Sequence, residues 1–251
     1  MKKSILILFI LWNVQLEAQK TLEREIPIGR ADHIMLTLPY ARTIKVHSWQ
    51  KNEILLKASV RIDNGKLDDH FNLDIKERSN GIRIKSSYGR LFKKQKKSKG
   101  IFSNKDRGTT IKMDGDTEHD EITINGIPIH AEYVLYAPEN IALTVKSTAG
   151  NLTITSFDGN LIADIISGNI TINQYNGDMT LKTISGHIAM KIGKALSLKA
   201  ETTIGKIKKE GQIPKIIIGE KLIGSFAQGN FDQGLHDVEL STVSGNIRLI
   251  K

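Results

Sequence analysis

The sequence predicts an all-β protein, a single-stranded β-solenoid or β-helix with coils of about 18 residues. Three observations point there. Glycine recurs at positions 150, 159, 168, 177 and 186, a constant spacing of nine, and the intervening strings alternate in kind, so the repeating unit is 18 residues. Around each alternate glycine, apolar residues fall at every second position, the period of a strand with one face buried. A unit of two short strands and two turns cannot bury its own apolar face. Stacked copies can, pairing through backbone hydrogen bonds about 4.8 Å apart.

Five copies align on Gly150, Gly168, Gly186, Gly205 and Gly245, in the strings STAGNLTI, IISGNITI, TISGHIAM, TTIGKIKK and TVSGNIRL. Seven residues before the glycine stand Leu143, Leu161, Met179, Leu198 and Val238; five before stand Val145, Ala163, Leu181, Ala200 and Leu240. Two after stand Leu152, Ile170, Ile188, Ile207 and Ile247. Every member of these columns is apolar, and the positions between them are mostly polar. The glycine marks the bend, where a missing side chain relieves the backbone. A slip of one residue would turn the apolar columns outward, so register is held. Four before the glycine, Lys146, Asp164, Lys182 and Glu201 alternate in sign. In stacked parallel coils they form a charge ladder contributing about 0.2–1 kcal/mol per exposed pair.

Residues 1–19 read as a signal peptide. Lys2 and Lys3 precede an apolar run from Ile5 to Trp12, too short for the roughly 20 residues of a membrane-spanning helix. Leu16-Glu17-Ala18 offers a small residue for cleavage, so Gln19 begins the mature chain. No later stretch is apolar enough to span a bilayer as a helix. The expected localisation is extracytoplasmic: periplasm, cell surface or secreted.

Residues 20–91 read as N-terminal β coils. Ile44/Val46, Ile54/Leu56/Ala58/Val60 and Phe71/Leu73/Ile75 are alternating runs separated by turn residues. GIRIKSSYGRL at 81–91 matches ALTVKSTAGNL at 142–152, with Ile82, Ile84, Lys85 and Gly89 in the places of Leu143, Val145, Lys146 and Gly150. Residues 92–121 break the pattern and read as a flexible insertion, basic and then acidic. The whole chain carries +9; without residues 1–19 it carries +8, and residues 90–112 alone supply a net +8. The basic character is therefore one segment rather than the whole surface. Residues 122–251 form the β-solenoid repeats. Around Gly224 the repeat is ragged: Ile216, Ile217, Ile218, Leu222, Ile223 and Phe226 supply apolar mass, Gly219 falls in a core column, and the stretch reads as an imperfect coil with a loop at 227–235.

The SGNI-type turns, the string LTVKSTAGNLTI and the segment HIMLTLPYARTIKVHSWQKNEILLKASV resemble the bacterial putative adhesin family, domains of unknown function related to the head-GIN domains. The resemblance covers residues 30–90 and 121–251. It implies an exported, repetitive β-structure. The family carries no established ligand, so no functional residues transfer.

Composition and spacing narrow the chemistry. The chain has no cysteine, which excludes a disulfide framework, a thiolate metal site and a lipidated cysteine anchor. A calcium β-roll needs GGxGxD turns, and none of the nonapeptides has one. The seven histidines show neither HxH nor HExxH spacing. His187 takes the turn position held by Asn151, Asn169 and Asn246, which gives it a turn role. Asn151-Leu152-Thr153 and Asn169-Ile170-Thr171 match a glycosylation triplet, but their 18-residue recurrence explains them as turns. No cofactor is indicated. β-Helices do host lyases and glycosidases, which usually need two carboxylates about 5–9.5 Å apart. Asp158, Asp164 and Asp178 are the candidates within the repeat; the charge ladder accounts for Asp164, and turn chemistry for the other two.

The remaining candidate site is the cluster Lys93, Lys94, Lys96, Lys97 and Lys99, which by charge suits an anionic envelope glycan or lipid headgroup. Without interleaved aromatics, and on an exported chain, it does not suit nucleic acid. The expectation is a non-catalytic adhesin or cell-envelope binding or structural protein, partnered by a glycan or another surface protein. The alternatives are a carbohydrate-active β-helix enzyme and a periplasmic scaffold or sensor component.

Overall fold

Buried and more exposed residues alternate along most of the described strands. The structure is a computed structural model and describes residues 20–78, 81–92, 109–112, 121–193, 196–231 and 234–251. The expected signal peptide and the lysine cluster of the insertion lie outside the described residues. The fold is all-β with an open sheet, and among the described residues the only helical turns are two short 3-10 ones, Asp68–His70 and Gly89–Phe92.

The strands form two ribbons that meet at the glycine corner. Parallel pairing in the first runs through Gly81–Ser87, His33–Thr37, the front of Ala142–Asp158, Leu161–Ser167, Met179–Ser185, His236–Ser244 and Leu196–Ile204. Antiparallel strands cover both ends: Asn72–Arg78 at one, and Ser225–Asn230 followed by Ile216–Glu220 at the other. The second ribbon begins with antiparallel Lys20–Pro27, Glu53–Ile62 and Ile127–Pro138. It continues in parallel through Tyr40–Trp49, the back of Ala142–Asp158, Ile170–Ile172, Ile188–Lys191, Ile247–Ile250 and Ile207–Glu210. A third, short side pairs Phe157–Asp158 with Tyr175–Asn176.

The core lies between the two ribbons and is built from the apolar columns. Leu143, Leu161, Met179, Val238 and Leu198 stand in register and are at most 2% exposed. Leu152, Ile170, Ile188 and Ile247 do the same beyond the corner, fully buried. Each such side chain contributes about 1.5–3 kcal/mol by leaving water. Residues eighteen positions apart therefore do stack, from Leu152 to Ile170 to Ile188.

Rung order departs from chain order at the far end. His236–Ser244 lies between Met179–Ser185 and Leu196–Ile204, and Ile247–Ile250 likewise separates Ile188–Lys191 from Ile207–Glu210. The later strand sits inside the earlier one. The expected charge ladder is cut as a result: Lys146, Asp164 and Lys182 are vertical neighbours, but Ser241 stands between Lys182 and Glu201. Among the described residues no ion pair joins those first three, and Glu201 instead pairs with Lys221 at 2.9 Å. The ragged region near Gly224 is an antiparallel hairpin, so part of the expected 227–235 loop is strand. Gly219 suits the hairpin, since a side chain there would run into the ring of its paired residue Phe226. Gly89 does not join the glycine column; Gly150 packs on Ala41 instead. The strands with Ile82 and Ile84 keep the apolar columns, one strand removed, because Ile34 and Leu36 intervene.

At the N-terminal end, Tyr88 and Tyr133 are fully buried. Tyr88 donates its hydroxyl to the Tyr40 carbonyl at 2.6 Å and lies 3.4 Å from the Tyr133 hydroxyl. Burial pushes the Tyr133 phenol up to about 12 and that of Tyr88 well above its usual value. Phe71 packs edge-on against Tyr88, at 5.7 Å between ring centres.

Candidate functional site

The corner after each glycine is a side-chain ladder. Asn151 Oδ1 accepts the Asn169 N–H at 2.9 Å, and Asn169 Oδ1 accepts the His187 N–H at 2.7 Å. His187 Nδ1 accepts the Asn246 N–H at 2.8 Å, and Asn246 Oδ1 accepts the Lys206 N–H at 2.9 Å. His187 therefore holds a turn, in the tautomer with Nδ1 unprotonated. The side chains of these turn positions are committed to holding rungs together.

A second ladder lies three residues before the glycine. Thr183, Thr242 and Thr202 are buried and donate their hydroxyls to the carbonyls of Gly168, Gly186 and Gly245 at 3.2, 3.0 and 2.8 Å. Buried hydroxyls require such partners. The recurring Thr in TISG, TTIG and TVSG is the sequence signal for it, at a column the sequence reading left unassigned.

Of the three candidate carboxylates, Asp164 stands apart from Asp158 and Asp178. Asp164 faces outward between Lys146 and Lys182. Asp158 Oδ1 accepts an Asn176 side-chain N–H at 3.1 Å, and Asn176 Oδ1 lies 3.1 Å from His236 Nε2. Asp178 Oδ1 accepts the Asp237 N–H at 3.0 Å and is 3.9 Å from His236 Nδ1. Asp158 and Asp178 are thus tied to neighbouring rungs around the Asn176–His236 pair. Among the described residues no group of three or more His, Asp or Glu side chains is placed to hold a metal ion.

Two surface features were not anticipated. On the outer face of the second ribbon His47 stacks on Tyr136, 4.9 Å between ring centres, and Trp49 tilts onto the same ring at 5.4 Å. Burial, with a smaller contribution from Lys45, lowers the His47 imidazole below its usual value. On the third side lies a groove of about 420 Å³. Tyr175 forms part of its wall, half-buried, with a hydroxyl that has neither accessible surface nor a hydrogen-bond partner. Leaving such a hydroxyl unmatched costs about 1–3 kcal/mol. Burial pushes its phenol far above the ordinary tyrosine range. The lysines 93, 94, 96, 97 and 99 lie outside the described residues.

The fold has solved counterparts. A putative cell adhesion protein from Clostridium sporogenes matches 93% of this chain and 99% of its own, with a TM-score of 0.54 at 11% identity. That likeness shows a shared fold. A putative adhesin from Bacteroides fragilis aligns over 93% of this chain and 98% of its own at 9% identity, with a TM-score of only 0.33. No family model matches the chain, and neither does any curated protein. Among the described residues no helix is long and apolar enough to cross a membrane.

Proposed function

We propose that this chain is an exported, non-catalytic adhesin-type protein of the cell envelope, a β-solenoid of about 18-residue coils whose outer faces bind a surface glycan or another envelope protein. The observation that carries this reading is the register of the outward positions. Ile162, Thr180, Glu239 and Lys199 stand one above another on successive rungs. A flat surface repeating at the strand spacing of about 4.8 Å suits a polymer or a second extended surface better than one small substrate. The Clostridium structure, named as a cell adhesion protein and alike in fold, supports the same reading. The cluster Lys93, Lys94, Lys96, Lys97 and Lys99 adds a salt-sensitive anionic component, because a dense basic segment concentrates polyanions.

The test is retention of the mature protein on purified envelope glycans and on anionic vesicles, with and without residues 92–112. Binding to envelope glycan, with a salt-sensitive part lost on deletion, is expected. Failure to bind any envelope fraction, or release of reducing ends from the glycan, would overturn the reading.

A further inference from the structure

The third side of the stack lacks one side chain. Phe157 and Tyr175 pair in register, and eighteen positions further on comes Gly193. Phe157 turns fully into the core, whereas Tyr175 stays half-exposed. The point that a Cβ would occupy on Gly193 lies 3.9 Å from Tyr175 Cε1 and Oη, and no other atom is nearer. That is an ordinary van der Waals distance, so a side chain there would meet the aromatic ring without a clash, and glycine leaves that space unfilled. The groove there, about 420 Å³, falls within the usual range of small-molecule sites, roughly 300–1,000 Å³. Its rim carries Glu139, Asn173, Gln174 and Lys191. Among the described residues the side chains of these four make no hydrogen bond or ion pair.

We propose that this groove is a saccharide subsite, taking one unit of a neutral glycan with its ring against Tyr175 and its hydroxyls on Asn173, Gln174 and Glu139. A sugar ring presents a face of C–H groups, which suits the negative face of an aromatic ring. Carboxamides and carboxylates are planar, two-point partners for neighbouring hydroxyls. The ionisable groups of the groove are Glu139, Asp158 and Lys191, a balance of one negative charge that disfavours acidic sugars. The polar side chains at the rim have no other partner to lose on binding. The site thus differs in charge preference from the lysine cluster at 93–99. The inference rests on the surface-binding reading and gives it a substrate class.

The experiment is a glycan array of neutral and acidic oligosaccharides probed with the whole mature protein, followed by calorimetric titration of the strongest neutral binder. Gly193 does not have a left-handed backbone, so Gly193→Leu fills the groove without backbone strain. Gly193→Leu is expected to weaken neutral-glycan binding at least tenfold, and Asn173→Ala to weaken it severalfold. Both should leave the melting temperature and the salt-sensitive binding of anionic vesicles unchanged. Neutral-glycan binding that survives both substitutions would overturn the groove and leave the surface-binding reading standing. So would an array on which only acidic glycans bind. A protein that binds no glycan and no envelope fraction would overturn both.

Discussion

Thr242 donates its hydroxyl to the carbonyl of Gly186 at 3.0 Å, although 56 residues separate them along the chain. The same threonine column continues from Thr202 to Gly245 at 2.8 Å. The rung carrying Thr242 is therefore an interior one, held from both sides.

Deleting residues 236–251 should accordingly do more than fray an end. It strips the parallel partner from both Leu196–Ile204 and Met179–Ser185. The shortened chain is expected to lose cooperative unfolding across the whole stretch from 196 to 230, read by hydrogen exchange. Retained protection of residues 196–204 would contradict the interior placement.

Gly168 should not tolerate a side chain. Its φ of +144° is one that L residues rarely adopt, and a Cβ there would strike the Gly150 carbonyl of the rung beneath. Gly168→Ala should cost about 2–5 kcal/mol in urea unfolding, combining backbone strain with overpacking. Gly126→Ala is the control: its φ is also positive at +77°, but nothing lies within 4 Å. It should cost only about 1–2 kcal/mol. Equal losses at the two sites would remove the case for close stacking of glycines.

Ile170→Asp should place an unpaired carboxylate in a column with no exposure. A loss of several kcal/mol, roughly 3–5, or outright aggregation is expected from thermal melts. A near-wild-type melt would refute the inward assignment.

His47 should make stability fall with acid. Its folded value lies below 6.5, mainly because burial disfavours the imidazolium. As pH drops through 6.5 the unfolded chain takes up the proton first, so stability declines until the folded value is passed and then levels off. The difference in unfolding free energy between wild type and His47→Gln should follow that course between about pH 7.5 and 5. A difference that does not vary with pH would exclude it.

The apolar columns were readable because each rung repeats the same spacing, so Leu152, Ile170 and Ile188 announce their own register. Rung order was not readable, for a related reason. The rungs are chemically interchangeable: Leu181 can face Leu240 as well as Ala200. What decides the order is the antiparallel hairpin of Ile216–Glu220 and Ser225–Asn230, which takes one edge of Leu196–Ile204 and leaves the other for His236–Ser244. The buried tyrosines were hidden because Tyr88 and Tyr133 stand 45 residues apart, which is not a whole number of 18-residue repeats. The groove had a signal, since Gly193 lies one repeat after Tyr175. It went unread because glycine in this chain otherwise means a bend.

Inserting a later strand beneath an earlier one also constrains how the chain is made. Synthesis and any passage through a membrane proceed from the amino end, so residues 196–230 emerge before the strand on which they must sit. Until that strand arrives, Leu196–Ile204 lacks its native parallel partner and that end of the stack is incomplete. The native order of strands can therefore be completed only when the last residues of the stack are present.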